Sequence, residues 1–377
     1  MPRHVVIVGS GVIGLASARA LAAAGDRVTV IDGGSGGRDA SLAAAGILGA
    51  GSEHVVDSAL FRLSLEALRR WPEAIEALGR ESRRPIGFGA EGTLLLAFDA
   101  AEMAALEARG RVHRAAGLAS RLLTATETRA IAPRVTHRAI AALHIPEARL
   151  DNRALHAAYE LACERLGVVT RFGRDVTGLA QAAGRVQGVR IHDETLAADA
   201  VVVAAGAWSE SLARTTGVLL PSRPIKGQLV RVEAADGELA HVVKRGLAYA
   251  LPRTGEGLIL GTTSEDAGFD RSQDMAVTRT VLAAADELLP GLGSRHVLET
   301  WVGFRPRLED GLPAIGPVAS RPGLFLATGH FRNGILLADI TGILVARAIA
   351  GDVDPRLAPF SPDRFADGTG VRPETPA

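Results

Sequence analysis

The chain has 377 residues, 47% of them hydrophobic, enough to bury one large core or two smaller ones. Lys+Arg and Asp+Glu balance at 42 each, which offers no net attraction to nucleic acid or to an anionic membrane surface. The single cysteine, Cys163, excludes an intramolecular disulfide and a multi-cysteine metal site, and the ten histidines show no metal-ligand spacing.

In chain order, residues 5–8 form a short apolar run that leads at once into Gly9-Ser10-Gly11-Val12-Ile13-Gly14. An Ala-rich segment closes at Gly25, a second apolar run spans 28–31, and Asp32 ends it. Strand, glycine turn, helix, strand and acid make the βαβ unit that holds a dinucleotide. Gly9 permits the turn, Gly11 lets a pyrophosphate approach the backbone, and Gly14 allows close packing. Asp32 stands where a ribose hydroxyl needs an acceptor. These residues alone leave NAD and FAD both open.

Residues 33–52 read as loop, 58–80 as a helix, 92–98 as a strand and 99–117 as a second helix. Asp151 and Asn152 are suited to cap the helix that follows, on which Leu155, Tyr159, Cys163 and Leu166 share an apolar face. Short strands are expected at 168–172, 176–179 and 186–191, then a buried strand from Ala200 running into Gly206-Ala207-Trp208. Between 221 and 265 the runs 228–232, 248–251 and 258–261 alternate as in an antiparallel sheet. A helix at 275–289 follows, then tight turns from Trp301, a strand at 323–328 and a final helix after Gly334. The tail beyond Pro359 is polar and is expected to be poorly ordered.

This order predicts an α/β fold: a Rossmann-like dinucleotide domain (1–85, 145–220 and 300–360) with an inserted antiparallel-sheet substrate domain (86–144 and 221–299) and a tail at 361–377. Arg3 and the apolar stretch after it mimic a secretory signal, but cleavage near 22–24 would remove the dinucleotide turn. The best membrane candidate, 334–351, carries Asp339 and Arg347. The chain therefore suits a reducing cytoplasm, with no membrane or nucleic-acid partner.

Three segments together resemble the FAD-dependent D-amino-acid oxidase family, most closely its glycine oxidase branch. They are the βαβ unit, the strand ending in Ala205-Gly206-Ala207-Trp208, and the run holding Gly303-Phe304-Arg305-Pro306 and Gly329-His330-Phe331-Arg332-Asn333-Gly334-Ile335. The loop Ser41-Leu42-Ala43-Ala44-Ala45-Gly46 is similar to that family's flavin-approach loop. The resemblance implies FAD, bound non-covalently because Cys163 lies far from the C-terminal motif. It implies cofactor contacts from Gly9, Gly11, Val12, Ile13, Gly14, Asp32, Ser41, Ala45, Gly46, Val176, Ala205, Gly206, Trp208, Arg305, His330, Arg332, Asn333, Gly334 and Ile335. Two departures, Asp32 where the family often has Glu and Arg307 after the Arg-Pro pair, bear on adenosine position and substrate identity.

Arg305 is the implied anchor for a substrate carboxylate, because a guanidinium fork meets a carboxylate with two parallel hydrogen bonds. Against that stands an ordinary ion pair with Glu309 or Asp310. Tyr249 is a second donor to the same carboxylate or, equally, a half-buried sheet tyrosine. Arg332 and the N–H groups of Asn333, Gly334 and Ile335 are expected beside the flavin ring. His330 and His54 receive no catalytic role, Lys226 none at all, and Trp208 and Trp301 are read as packing residues. The implied function is oxidation of glycine, sarcosine or a small D-amino acid to an imine, with electrons passing to molecular oxygen to give hydrogen peroxide. The imine feeds thiamine thiazole synthesis by family analogy. The alternatives are a D-amino-acid dehydrogenase that reduces a quinone, an NAD-dependent enzyme and a non-catalytic flavoprotein. Oligomeric state is left open, a homo-oligomer being one reading.

Overall fold

Two sheets organise the chain, which the computed structural model describes over residues 2–34 and 39–366. The first has six strands in the order Ala314–Pro317, Leu324–Thr328, Ala200–Val203, His4–Val8, Arg27–Asp32 and Val169–Phe172. All neighbours are parallel except the Ala314–Pro317 edge. Every residue of His4–Val8 is buried, as a central strand covered on both faces requires.

Helix Val12–Ala23 crosses helix Gly334–Ile349 so closely that a Cβ on Gly342 would lie 2.5 Å from the Ala16 carbonyl. The two ends of the chain thus close one core, which also takes Phe61, Trp71 and Tyr159. Cys163 belongs to it, its Sγ donating to the Leu15 carbonyl at 3.4 Å. Burial pushes its thiol up to about 12, and it lines neither of the cavities described below.

The second sheet has eight strands, in the order Val297–Leu308, Ser222–Val232, Gly257–Gly261, Ala248–Arg253, Val242–Arg245, Thr93–Ala97, Ala141–Ile145 and Arg121–Thr124. Helix Met275–Leu288 packs on it over a core of Val230, Ala250, Leu260 and Leu288. One pair breaks the antiparallel expectation: Val242–Arg245 runs parallel to Thr93–Ala97. The distant segment 93–97 completes the sheet by a crossover that local alternation does not reveal.

Most expected elements are present with small shifts. Ser58 caps helix Ala59–Ser82, Asp99 caps Ala100–Ala115, and Asp151 caps Asn152–Arg165. Asn152 does other work, its amide donating to the carbonyls of Ser41 and Leu42 at 2.8 and 3.1 Å. Four expectations need correction. The stretch after Trp301 is not a series of tight turns but the end of the twelve-residue strand Val297–Leu308, paired along its length with Ser222–Val232. Residues 33–52 include a short helix, Ala40–Ala43, and a strand, Ile47–Leu48. Leu166 follows its helix and is exposed rather than sharing the buried face. The tail is ordered through 366, because Phe360 and Phe365 are buried against the body; residues 367–377 lie outside the described residues.

Candidate active site

Two adjoining cavities share Ala40, Ser41, Ala204 and Gly206 as lining. The first is a groove of about 550 Å³ at the carboxyl ends of the parallel strands, where open α/β sheets bind ligands. Gly9, Gly11, Asp32, Ser41, Val176, Ala205, Gly206 and Trp208 line it. Gly9 has φ +107°, and an added Cβ would lie 2.4 Å from the Ala204 carbonyl oxygen, so the turn accepts no side chain. A Cβ on Gly14 would lie 1.9 Å from the Gly9 carbonyl; Gly14 lines neither cavity and acts by letting the turn close.

Asp32 does more than face the groove. Its Oδ2 accepts from the Ser10 N–H at 2.8 Å and the Ser10 hydroxyl at 2.7 Å, and its Oδ1 accepts from the Gly34 N–H at 2.8 Å. Helix Val12–Ala23 begins at Gly11, which gives it no side-chain cap, next to the groove, and its first N–H, that of Val12, donates to the Ser41 hydroxyl at 2.9 Å. A cradle that excludes a Cβ, an uncapped helix N-terminus and a strand-end carboxylate suit a dinucleotide diphosphate.

Trp208 packs, as expected, and also lines the groove. It is 37% exposed and stacks on Phe269 of the second sheet's loop with ring centroids 4.8 Å apart. Trp301 packs too, its Nε1 donating to the Ala43 carbonyl at 2.9 Å.

The second cavity is lined by Val12, Ile13, Ala45, Gly46, Tyr249, Arg305, His330, Arg332, Gly334 and Ile335 among others. Arg305 leaves the Val297–Leu308 strand opposite Ile225. Its Nη1 donates to the Thr263 carbonyl at 3.1 Å and its Nη2 to the Thr262 hydroxyl at 2.8 Å. Neither Glu309 nor Asp310 pairs with it; Asp310 takes Arg364 instead, at 2.6 Å. Among the described residues, Arg305 has no carboxylate partner. Removal from water, then the neighbouring Arg332, draws its pKa down to about 10, so it remains a cation at neutral pH.

Two glycines that sequence reading passed over make this arrangement possible. A Cβ on Gly227 would lie 2.3 Å from Arg305 Nη1, and one on Gly261 would lie 2.2 Å from the Tyr249 ring. Both are stripped of side chain so that a larger neighbour can lie flat across them. Tyr249 is buried, and burial pushes its hydroxyl up to about 12, keeping it a neutral donor.

Arg332 is engaged elsewhere. Its Nε donates to Glu53 Oε2 at 2.5 Å and its Nη2 to Glu53 Oε1 at 3.1 Å. Lys244 reaches the same carboxylate from the second sheet. Burial opposes the charge on Glu53, but Lys244 and then Arg332 hold it well below the usual carboxylate range. Burial likewise opposes Arg332, and Glu53 outweighs it and raises the guanidinium above its ordinary value. Glu53 and Lys244 were missed because 191 positions separate Glu53 from Lys244 on the other sheet and 279 from Arg332 in the C-terminal turn; no local pattern marks them.

The C-terminal turn docks on strand Val297–Leu308 beside Arg305, with the Phe331 N–H donating to the Pro306 carbonyl at 2.9 Å. His330 is buried and lowered to about 3 by burial, its Nε2 within 3.1 Å of the Thr341 hydroxyl. Of the three N–H groups expected to face a flavin, that of Asn333 is already used on the His330 carbonyl at 2.8 Å, and Asn333 lines neither cavity. Gly334 and Ile335 do line the second cavity, at the uncapped start of helix Gly334–Ile349. Lys226, left without a role, pairs with Asp270 at 2.7 Å, and His54 stands in neither cavity. Among the described residues, no group of three or more His, Cys, Asp or Glu could hold a metal ion, and no helix is long and apolar enough to cross a membrane.

A Rossmann-type dinucleotide groove opening onto a cavity that holds an arginine and a tyrosine defines the class: a nucleotide-dependent oxidoreductase. The comparisons narrow it. The profile of the DAO family, FAD dependent oxidoreductase, matches residues 4–348, and the chain belongs to that family and uses FAD. It is 36% identical over 373 residues to a glycine oxidase of Geobacillus kaustophilus, covering 97% of this chain and 98% of that protein. A glycine oxidase of Pseudomonas putida is 34% identical over 367 residues, covering 96% and 99%. The crystal structure of the Geobacillus kaustophilus glycine oxidase superimposes with a TM-score of 0.92 over 96% of this chain and 99% of that one. The chain also spans 57% of the length of a bifunctional protein ThiO/ThiG from Trichormus variabilis, at 34% identity.

Proposed function

We propose that this flavoenzyme oxidises a small amino acid or secondary amine, in the class of glycine, sarcosine and short D-amino acids, to an imine. Water converts the imine to the oxo acid and releases the amine. The two electrons that leave with the Cα hydrogen as C–N becomes C=N reduce molecular oxygen, with two protons, to hydrogen peroxide. The observation that carries this reading is Arg305, a cation on the cavity wall held by two neutral oxygens and, among the described residues, by no carboxylate.

FAD, when bound, supplies the two-electron acceptor. Gly9, Gly11, Val12, Ile13, Asp32, Ser41, Val176, Ala205, Gly206 and Trp208 are assigned to holding its dinucleotide part. Ala45, Gly46, His330, Gly334 and Ile335 are assigned to the ring side of the cavity. Arg305 takes the substrate carboxylate with two parallel charge-assisted bonds, and Tyr249 adds a neutral donor. Fixing one end of so small a molecule fixes the other, which orients its Cα–H bond for transfer. A substrate bound as the free amine needs no protein base. The buried His330, its pKa lowered to about 3, is too weak a base to take a proton from the amine.

The glycine oxidase relatives support the substrate class, and the relative named ThiO/ThiG supports a biosynthetic use of the imine in making the thiazole of thiamine. The test is a panel of glycine, sarcosine, D-alanine and D-proline, following oxygen consumption and peroxide together with reduction of a quinone-like dye. Turnover with the dye and none with oxygen would replace the oxidase by a dehydrogenase. No turnover with any amine would reject the assignment.

A further inference from the structure

We propose that Glu53 sets the number of carboxylates the pocket accepts: by engaging Arg332 and Lys244 it leaves Arg305 alone to grip, and so commits the site to amines carrying one acid group. This deepens the function proposed above and rests on it.

Among the described residues lining the cavity, the charged ones are Glu53, Arg305 and Arg332. Arg332 spends Nε and Nη2 on Glu53, whereas among the described residues Arg305 donates only to neutral oxygens. Lys244 lies behind the pair, its side chain 6% exposed, on the strand next to Tyr249. Were Glu53 neutral, the cavity would present two guanidinium groups with a third cation behind them. That is a site for a dicarboxylate. A planar fork seeks a planar acid, and Glu53 already fills one of the two forks from within the protein.

The position of Glu53 is built, not incidental. A second buried carboxylate, Glu147, holds the backbone just before it, with one oxygen accepting from the Gly51 and Ser52 N–H groups at 2.5 and 2.7 Å. Lys244 and Arg332, both in contact with its carboxylate, favour the ionised form of Glu53 against the cost of burial. A substrate with a second carboxylate would bring that group against a fixed anion and a guanidinium already engaged, and like charges in a partly desolvated cavity repel strongly.

The test uses the full-length, FAD-loaded protein. Acetate and malonate serve as unreactive ligands, read from perturbation of the bound flavin's visible absorbance. Glycine and iminodiacetate serve as substrates, read from anaerobic bleaching of the flavin. In the wild type, acetate is expected to bind at least as tightly as malonate. In Glu53→Gln, the malonate-to-acetate affinity ratio is expected to rise at least about tenfold, and the iminodiacetate-to-glycine ratio of kcat/KM with it. Because Glu53→Gln leaves Lys244 buried without a partner, Glu53→Gln/Lys244→Met is made alongside and carries the same expectation.

Wild-type protein that prefers malonate, or unchanged ratios in a variant that retains flavin, would overturn the proposal and leave Glu53 a structural tie. Loss of glycine binding with no gain for malonate would also overturn it, assigning Glu53 to the substrate amine. Wild-type flavin that no amine bleaches would reject the proposed reaction, while the acetate and malonate ratios would still report on Glu53.

Discussion

Arg332 and Glu53 meet through both Nε and Nη2, at 2.5 and 3.1 Å, although 279 positions separate them in the chain. That contact divides the two arginines of the cavity into one that is committed to the protein and one, Arg305, that is not. The same division determines what substitution at each position should do.

Replacing Arg305 by Leu removes two charge-assisted bonds worth about 1.5–3 kcal/mol each, so kcat/KM for glycine should fall by roughly 10²–10⁴. The loss should be carried chiefly by KM, and the flavin should remain bound. Steady-state kinetics with a visible absorption spectrum checks both. Unchanged kinetics would show that the carboxylate is held elsewhere.

Tyr249→Phe should cost less, about tenfold in kcat/KM, since a single hydroxyl bond to an ionised group is lost and the ring still packs over Gly261. If the variant behaves as wild type, Tyr249 is a sheet tyrosine and nothing more.

Gly227→Ala probes the arginine without touching it. The new methyl group would lie 2.3 Å from Arg305 Nη1 and must push the guanidinium aside. Glycine KM is expected to rise by at least about tenfold with little change in flavin affinity, a pattern that repacking elsewhere in the sheet would not produce.

Gly11→Val tests the other end of the site. Its side chain would enter the groove beside Ser41, whose hydroxyl stands 3.1 Å from an ideal Cβ. The purified variant should lack the yellow of bound flavin, and a fluorescence titration of the apoprotein should find FAD affinity reduced by at least a hundredfold, about 2.7 kcal/mol.

His330 makes a pH prediction whose sign can be worked out. Its pKa is lowered to about 3 in the folded protein from 6.5, so between those values the unfolded chain binds a proton that the folded chain does not. Stability should therefore fall as the pH drops below 6.5, by about 2 kcal/mol on reaching pH 5 from this one group. Urea midpoints at pH 7.5 and 5.0 for wild type and His330→Gln measure it, and the variant, which keeps an amide for Thr341, should lose less.

How much of this was legible beforehand differs between the two cavities. The start of the dinucleotide groove is local: Gly9, Gly11 and Asp32 belong to one βαβ unit and their spacing alone announced them, whereas Ser41 came from the family resemblance. The errors fell where the chain leaves local order. The Trp301 segment looked like turns because glycine and proline punctuate it, yet pairing with Ser222–Val232 makes it a strand. Asp32 was read as a ribose acceptor alone, but the fold also brings it to Ser10.

From sequence alone came the nucleotide unit, because short-range periodicity and glycine spacing reflect backbone geometry that needs no distant partner; the family and the candidacy of Arg305 came with it, from the resemblance of several motifs to a known family. Only the tertiary structure decided that Arg332 is neutralised by Glu53, that Lys244 stands behind them, and that Gly227 and Gly261 clear the ground for Arg305 and Tyr249. Charge pairing and van der Waals exclusion act over a few ångströms of space, and no spacing along the chain encodes which residues from two separate sheets will come that close.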